Sequence, residues 1–147
     1  MKIIMRLDHA RGGNAGMSYA TTQLRPVVLP GSSVRDDKGR LEDILEAIEN
    51  IKRYSLRGKK AFEVNDLLQT HAIHNIQIIG EAVRGLSAGR KKKHPGVPWR
   101  EIVQMRNVLV HEYFAVNVDR VWSVIRRDLP RLKRQIQTIV ATLNKSS

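Results

Sequence analysis

Cysteine is absent from the chain, which excludes disulfides, thiolate metal sites and cysteine nucleophiles. That absence agrees with a reducing cytoplasm. No window holds the run of roughly 18 or more apolar residues that a membrane-spanning helix requires. The opening Met1-Lys2-Ile3-Ile4-Met5-Arg6 meets charge before a secretory apolar region of adequate length can form. The expectation is therefore a soluble, cytoplasmic protein with no signal peptide and no membrane partner. Sustained apolar/polar alternation with β-branched enrichment is also missing, which leaves no credible sheet, and no internal repeat is present. Acidic residues are scarce: 14 Asp plus Glu stand against 26 Lys plus Arg, a formal net charge of +12. Such an excess attracts polyanions, nucleic acid foremost, with an anionic membrane surface or an acidic protein behind it.

What is present suits one helical domain. A chain of 147 residues is about one domain in length, and 41% hydrophobic with 27% charged residues is a globular composition. Residues 1–34 differ from the rest: Gly12-Gly13, Gly16, Pro26, Pro30-Gly31 and Ser32-Ser33 interrupt any regular element. They read as a flexible basic leader, or as an over-extended start with Met17 or a later codon opening the domain, which then occupies residues 35–147.

From Leu41 the pattern changes. Leu41, Ile44, Leu45, Ile48 and Ile51 recur at the spacing of one helix face, predicting a first helix to about Tyr54. Ser55 to Lys60 reads as a loop. A second helix is expected from about Val64 to Leu86, with Leu68, Ala72, Ile76, Ile79 and Val83 as its apolar row. Gly89 to Pro98 combines Gly, two prolines and the run Arg90-Lys91-Lys92-Lys93-His94, so it reads as a loop. Ile102, Met105 and Leu109 carry a third helix after Trp99, and Val118, Val121, Trp122 and Ile125 a fourth. Asp128-Leu129-Pro130 places a capping residue and an early-turn proline where a fifth helix would begin. The expected fold class is all-α, an up-and-down bundle of four or five helices.

Five histidines are available: His9, His71, His74, His94 and His111. His71 and His74, three apart on one helix, could present two metal ligands, but no acidic or third histidine neighbour completes a set; no metal and no cofactor are expected. His111 stands in different company, in Arg106-Asn107-Val108-Leu109-Val110-His111-Glu112-Tyr113-Phe114. There a polar trio among apolar residues needs partners. On an ideal helix Arg106 and His111 point roughly 140° apart, whereas Asn107 and His111 share a face. Either the helix unwinds around His111, or a second copy of the chain supplies the missing member across a symmetric interface. Val103, Asn107, Val110, His111 and Phe114 form a second semi-apolar stripe suited to such a homodimer. Plain structural roles compete: Arg106 paired with an acidic side chain, Asn107 capping or bridging backbone, His111 as a helix-terminal histidine.

The segment from about Leu41 to Val140 resembles the HepT-like family of the HEPN superfamily, whose signature is an arginine, a polar residue and a histidine after a short apolar spacer. Here these are Arg106, Asn107 and His111, with Glu112-Tyr113-Phe114 in the place of the family's characteristic tyrosine. Asn75 and Ile78-Ile79-Gly80-Glu81-Ala82 look like its second-helix motif, Val97-Pro98-Trp99 like the loop before its catalytic helix, and Asp128-Leu129-Pro130 like its late-helix break. Departures are Gln77 where relatives often carry glutamate, His74 where arginine is common, and Gln104 before Met105-Arg106.

The resemblance implies a toxin of a toxin-antitoxin pair, an endoribonuclease that needs no metal and cleaves tRNA or mRNA through attack by the substrate's 2′-hydroxyl. It implies Arg106 and His111 as catalytic, Asn107 as supporting, and a minimal nucleotidyltransferase antitoxin that adenylylates Tyr113 and silences the enzyme. The residue types suit that chemistry. Imidazole exchanges protons near neutral pH, and a guanidinium holds phosphate bidentately and stabilises transition-state charge. Arg90, Lys91, Lys92 and Lys93 would supply sequence-independent phosphate contacts. Trp99, Tyr113 and Phe114 are candidates for base stacking, with a core-anchor role competing at Trp99. The alternative is a catalytically inactive bundle that binds nucleic acid or acts as adaptor to a nucleotidyltransferase.

Overall fold

Helices account for the regular structure among the described residues, in a computed structural model that describes residues 33–112 and 116–146. The leader before Ser33, Tyr113 and Phe114 lie outside those residues. In chain order the elements are α1 (Ser33–Ser55), α2 (Lys59–Val64), α3 (Asp66–Gly85), α4 (Ala88–Lys93), α5 (Trp99–His111), α6 (Val118–Ser123), a π-helical turn (Val124–Asp128) and α7 (Leu129–Lys145). The all-α expectation holds. None of the described helices is long and apolar enough to cross a membrane.

The apolar rows read from the sequence are the rows that pack. Leu41, Ile44 and Ile51 of α1, Ile79 and Val83 of α3, Leu109 of α5 and Leu132, Ile136 and Ile139 of α7 are all but sealed from solvent in one cluster. Each such side chain contributes about 1.5–3 kcal/mol by leaving water. Pairings along the helices set their directions. Asn50 donates to Asn75 and Ser87 donates to Asp37, so α1 and α3 run antiparallel; Gly80 meets Arg106 and Gln77 meets Leu109, so α3 and α5 do too. Lys133 pairs with Glu49 and, beyond the end of α1, Lys59 with Asp119, so the chain from α6 to α7 runs antiparallel to α1.

Four local details depart from the expectations. Helix α1 begins at Ser33, upstream of the apolar row, with Asp36 in its first turn, where a carboxylate complements the helix N-terminus. The expected loop through Lys60 gives way to the short α2 after Gly58, whose φ of 91° suits glycine. Asn65 then caps α3, its side-chain oxygen accepting from the Leu67 and Leu68 amides at 3.0 and 3.2 Å. The basic run Arg90-Lys91-Lys92-Lys93 is helical rather than loop, because Ser87 caps α4 by accepting from the Arg90 amide at 3.2 Å. Finally, the fourth and fifth helices are one. Asp128 keeps helical angles and makes no capping bond, and the Leu129 amide donates to the Val124 carbonyl, five residues back. Pro130 lacks an N–H and its ring crowds the carbonyl four residues earlier, so a π turn ahead of it lets the helix continue.

Asp37 ties the two ends of this frame. It is 3% exposed, accepts from the Ser87 amide at 2.9 Å and hydroxyl at 2.6 Å, and lies 3.6 Å from the Arg90 guanidinium. Asp37→Ala strands a buried cation and an amide, and is expected to cost about 3–5 kcal/mol. Urea unfolding measures it directly; a loss below about 1 kcal/mol would mean that the contact behaves as a surface pair.

Candidate active site

Helix α5 is fixed at both ends. At its start Trp99 is buried, and its indole N–H is shared between the Lys91 and His94 carbonyls at 3.2 and 3.0 Å. Trp99 is thus a core anchor rather than a platform for bases. Near its end Gln77 donates to the Leu109 carbonyl at 3.3 Å, in the last turn of the helix. An amide can donate this bond; a carboxylate at position 77 could not.

Between these anchors α5 meets α3 at Gly80. A β-carbon there would run into the Arg106 Cβ and lie 2.6 Å from its Cγ, so only glycine admits the arginine stem at this depth. The guanidinium is held as well as wedged. Glu81 binds one terminal nitrogen, and the Asn107 side-chain oxygen accepts from the other at 3.1 Å. Arg106 is 13% exposed while Glu81 is 50% exposed. The result is a fixed cation with donors to spare at the wall of a cleft of about 370 Å³. Arg40, Asp43, His74, Gln77 and Val110 complete most of that wall.

His111 does not share the cleft. It is the last residue of α5 and exposed, and the helix remains regular up to it, the Glu112 amide donating to the Val108 carbonyl at 2.8 Å. The helix does not unwind ahead of His111, so one copy of the chain leaves Arg106 and His111 apart. Asn107 bonds to Arg106 rather than to the imidazole. Val110, 42% exposed, with Asn107 and His111 leaves the outer stripe of α5 open.

The remaining candidates separate. Arg90 turns inward to Asp37, whereas Lys92 and Lys93 are exposed and Lys91 half-buried; phosphate contact stays open to the lysines alone. His94, beside them, is held below the usual histidine range by burial and by the charges of Arg90 and Lys93. His71 and His74 face different surroundings. His71 packs against Tyr54 with ring centroids 4.3 Å apart, and burial, with the charge of His74, lowers its pKa. Among the described residues no three His, Cys, Asp or Glu side chains come together as metal ligands. The sequence marks Gly80 and Glu81 only as part of the second-helix motif, and Gln77 only as a departure from the family pattern; it shows none of the three as a partner of α5.

The profile of the family described as "Ribonuclease HepT-like" matches residues 44–139, which include α3, α5 and the lining of the Arg106 cleft except Arg40 and Asp43. The chain belongs to the HepT-like ribonuclease family. It is 37% identical over 106 residues to the "Probable ribonuclease HepT" of Thermococcus cleftensis, covering 71% of this chain and 96% of that one. It is 32% identical over 108 residues to a "Putative RNase" of Methanocaldococcus jannaschii, covering 73% and 99%. A third relative, the "Gamma-glutamylcyclotransferase and putative RNase" of the same organism, is 36% identical over 113 residues, 76% of this chain. The chain spans about half of that longer protein, 51%. No solved structure matches. In this HepT-like protein the matched span takes in α5, which carries Arg106, Asn107 and His111, and α3, the two helices that Gly80 brings together.

Proposed function

We propose that this HepT-like protein is the toxin of a toxin-antitoxin pair and an endoribonuclease that acts without a metal. The observation that carries this reading is Arg106: a guanidinium wedged at Gly80, oriented by Glu81 and Asn107, and facing an open cleft with donors unused. Held there, it meets a phosphate without reorganising and stabilises the negative charge that grows on the equatorial oxygens. The substrate's 2′-oxygen attacks the adjacent phosphorus, the bond to the 5′-oxygen breaks, and a cyclic phosphate remains. His111 takes the hydroxyl proton or returns one to the leaving oxygen. Because Arg106 and His111 diverge along α5, a homodimer with facing α5 helices supplies the arginine of one copy and the histidine of the other to each cleft. Lys91, Lys92 and Lys93 add phosphate contacts to RNA, tRNA or mRNA being the substrate class. A cognate minimal nucleotidyltransferase adenylylates Tyr113, two residues past His111; the added phosphate and base would compete for the space and the cation that RNA needs.

One observation favours a second reading. Arg106 is paired with Glu81, as a purely structural arginine would be, so an inactive adaptor bundle also accommodates it. Cleavage chemistry separates the two. In excess chelator the wild-type protein should convert RNA to fragments with 2′,3′-cyclic phosphate ends, and His111→Ala should lose about 10²–10⁴-fold in rate. Wild-type rates in His111→Ala, or ends without cyclic phosphate, would overturn this chemistry, and only a wild-type protein that cleaves no RNA would leave the adaptor reading standing.

A further inference from the structure

A second cleft is larger than the one that holds Arg106. It lies toward the other end of α1, between the C-terminal half of that helix and the continuous α6–α7 helix, with a volume of about 760 Å³. That is the size of a small-ligand site, about 300–1,000 Å³, not of a groove long enough to bed a helix. Its floor is apolar, formed by Ile51, Ile125 and Leu129. Trp122 lines it as well, half-buried, its indole centroid 5.2 Å from the Phe62 ring. The π turn forms part of the wall, presenting Ile125 and Arg126.

Charge at the rim is of one sign. Lys52 and Lys59 stand on one wall, Arg126, Lys133 and Arg134 on the other, and no carboxylate lines the cleft. Lys133 pairs with Glu49, and Lys59 with Glu63 and Asp119. Lys52, Arg126 and Arg134 are exposed and enter no ion pair among the described residues. The occupant must therefore be anionic at its edges and flat or apolar at its centre. The chain's own leader is a poor fit, since Lys2, Arg6, Arg11 and Arg25 outnumber Asp8 in residues 1–32.

We propose that this cleft is a second RNA-binding site, which holds an unpaired nucleotide with its base against Trp122 and the apolar floor and its flanking phosphates between the two cationic walls. An aromatic platform inside a basic funnel is the general solution for binding single strands without sequence readout. The proposal rests on the ribonuclease reading for its ligand class, yet its lining shares no residue with the Arg106 cleft, which makes it separable from catalysis. It anchors the strand away from the scissile bond, raising affinity for long RNA without touching the chemical step.

Binding is tested with a fully 2′-O-methylated hexauridylate, which has no 2′-hydroxyl to attack and is not consumed. The chain has two tryptophans, and Trp99 is buried, so saturable quenching of emission that disappears in Trp122→Phe reports this cleft. The double variant Arg126→Gln/Arg134→Gln is expected to bind about tenfold more weakly and to lower the salt slope by about 0.7 for each phosphate it no longer neutralises. Lys52→Gln, on the opposite wall, should lower the slope by about 0.7 alone, which keeps the test open if the double variant folds poorly. In cleavage assays the double variant should raise KM for a long unstructured RNA and leave kcat/KM for a dinucleoside monophosphate unchanged. Unaltered affinity and salt slope in both variants would overturn the site, as would an acidic amphipathic peptide quenching Trp122 where the oligonucleotide does not. Binding at this cleft by a protein that cleaves no RNA would sustain the site and sink the ribonuclease reading; unchanged cleavage and binding in both variants of an active enzyme would do the reverse.

Discussion

Arg106→Ala is expected to lower RNA cleavage by about 10²–10³-fold, the loss typical of removing one preorganised donor from a developing negative charge. Folding should survive, because the partner left behind, Glu81, is half exposed and can take up water. Arg106→Lys should recover little: an ammonium has neither the planar fork nor the reach to bind Asn107, Glu81 and a phosphate together. The informative experiment mixes two dead proteins. If each cleft draws Arg106 from one copy and His111 from the other, subunits of Arg106→Ala and His111→Ala exchanged at equal concentration form hybrids with one intact cleft in two. With half the dimers hybrid, activity should return to about a quarter of wild type. No recovery, with subunit exchange demonstrated, would place both residues of a site in one chain.

The second large effect is expected at Gly80. Any β-carbon there collides with the Arg106 stem, so Gly80→Ala must push α5 from α3 or turn Arg106 out of the cleft. Alanine improves helix propensity by about 1 kcal/mol over glycine, whereas overpacking a close approach costs about 1–3 kcal/mol; the second outweighs the first. Stability should fall and cleavage should fall further, by as much as about 10²-fold, since an ångström of misplacement suffices for that. Gly80→Val should be worse on both counts. Thermal melts and cleavage rates of the two variants decide it: a Gly80→Ala protein as stable and as active as wild type would show that the helices do not need this approach.

These expectations depend on residues that the sequence exposes unevenly. Arg106, Asn107 and His111 are legible because an arginine, an amide and an imidazole interrupt an apolar row, and because they stand in an ordered family signature. The divergence of Arg106 and His111 is legible too, as it follows from helix geometry alone. Glu81 is not legible as a partner of Arg106: the two lie on different helices, and nothing in either helix's periodicity states which residues will meet. Arg90 reads in the sequence as one more cation in a basic run; its inward turn depends on Asp37, 53 positions earlier in the numbering.

The amino-acid order by itself determined the all-α class, the faces that α1, α3, α5 and α7 bury, and the net positive charge that calls for an anionic partner. Those properties are set by spacing within one helix and by composition, which are local or additive. Only the tertiary structure decided that Gly80 admits Arg106, that Gln77 holds the end of α5, that Ser87 and Asp37 turn a basic loop into a helix, and that a π turn carries the chain past Pro130 without a break. It also decided that five cations from α1, the start of α2 and the α6–α7 helix converge around Trp122. Each of these is a meeting of residues far apart in sequence, or a balance between one missing backbone hydrogen bond and the packing on either side of it. Such outcomes exist only once the helices are laid against one another.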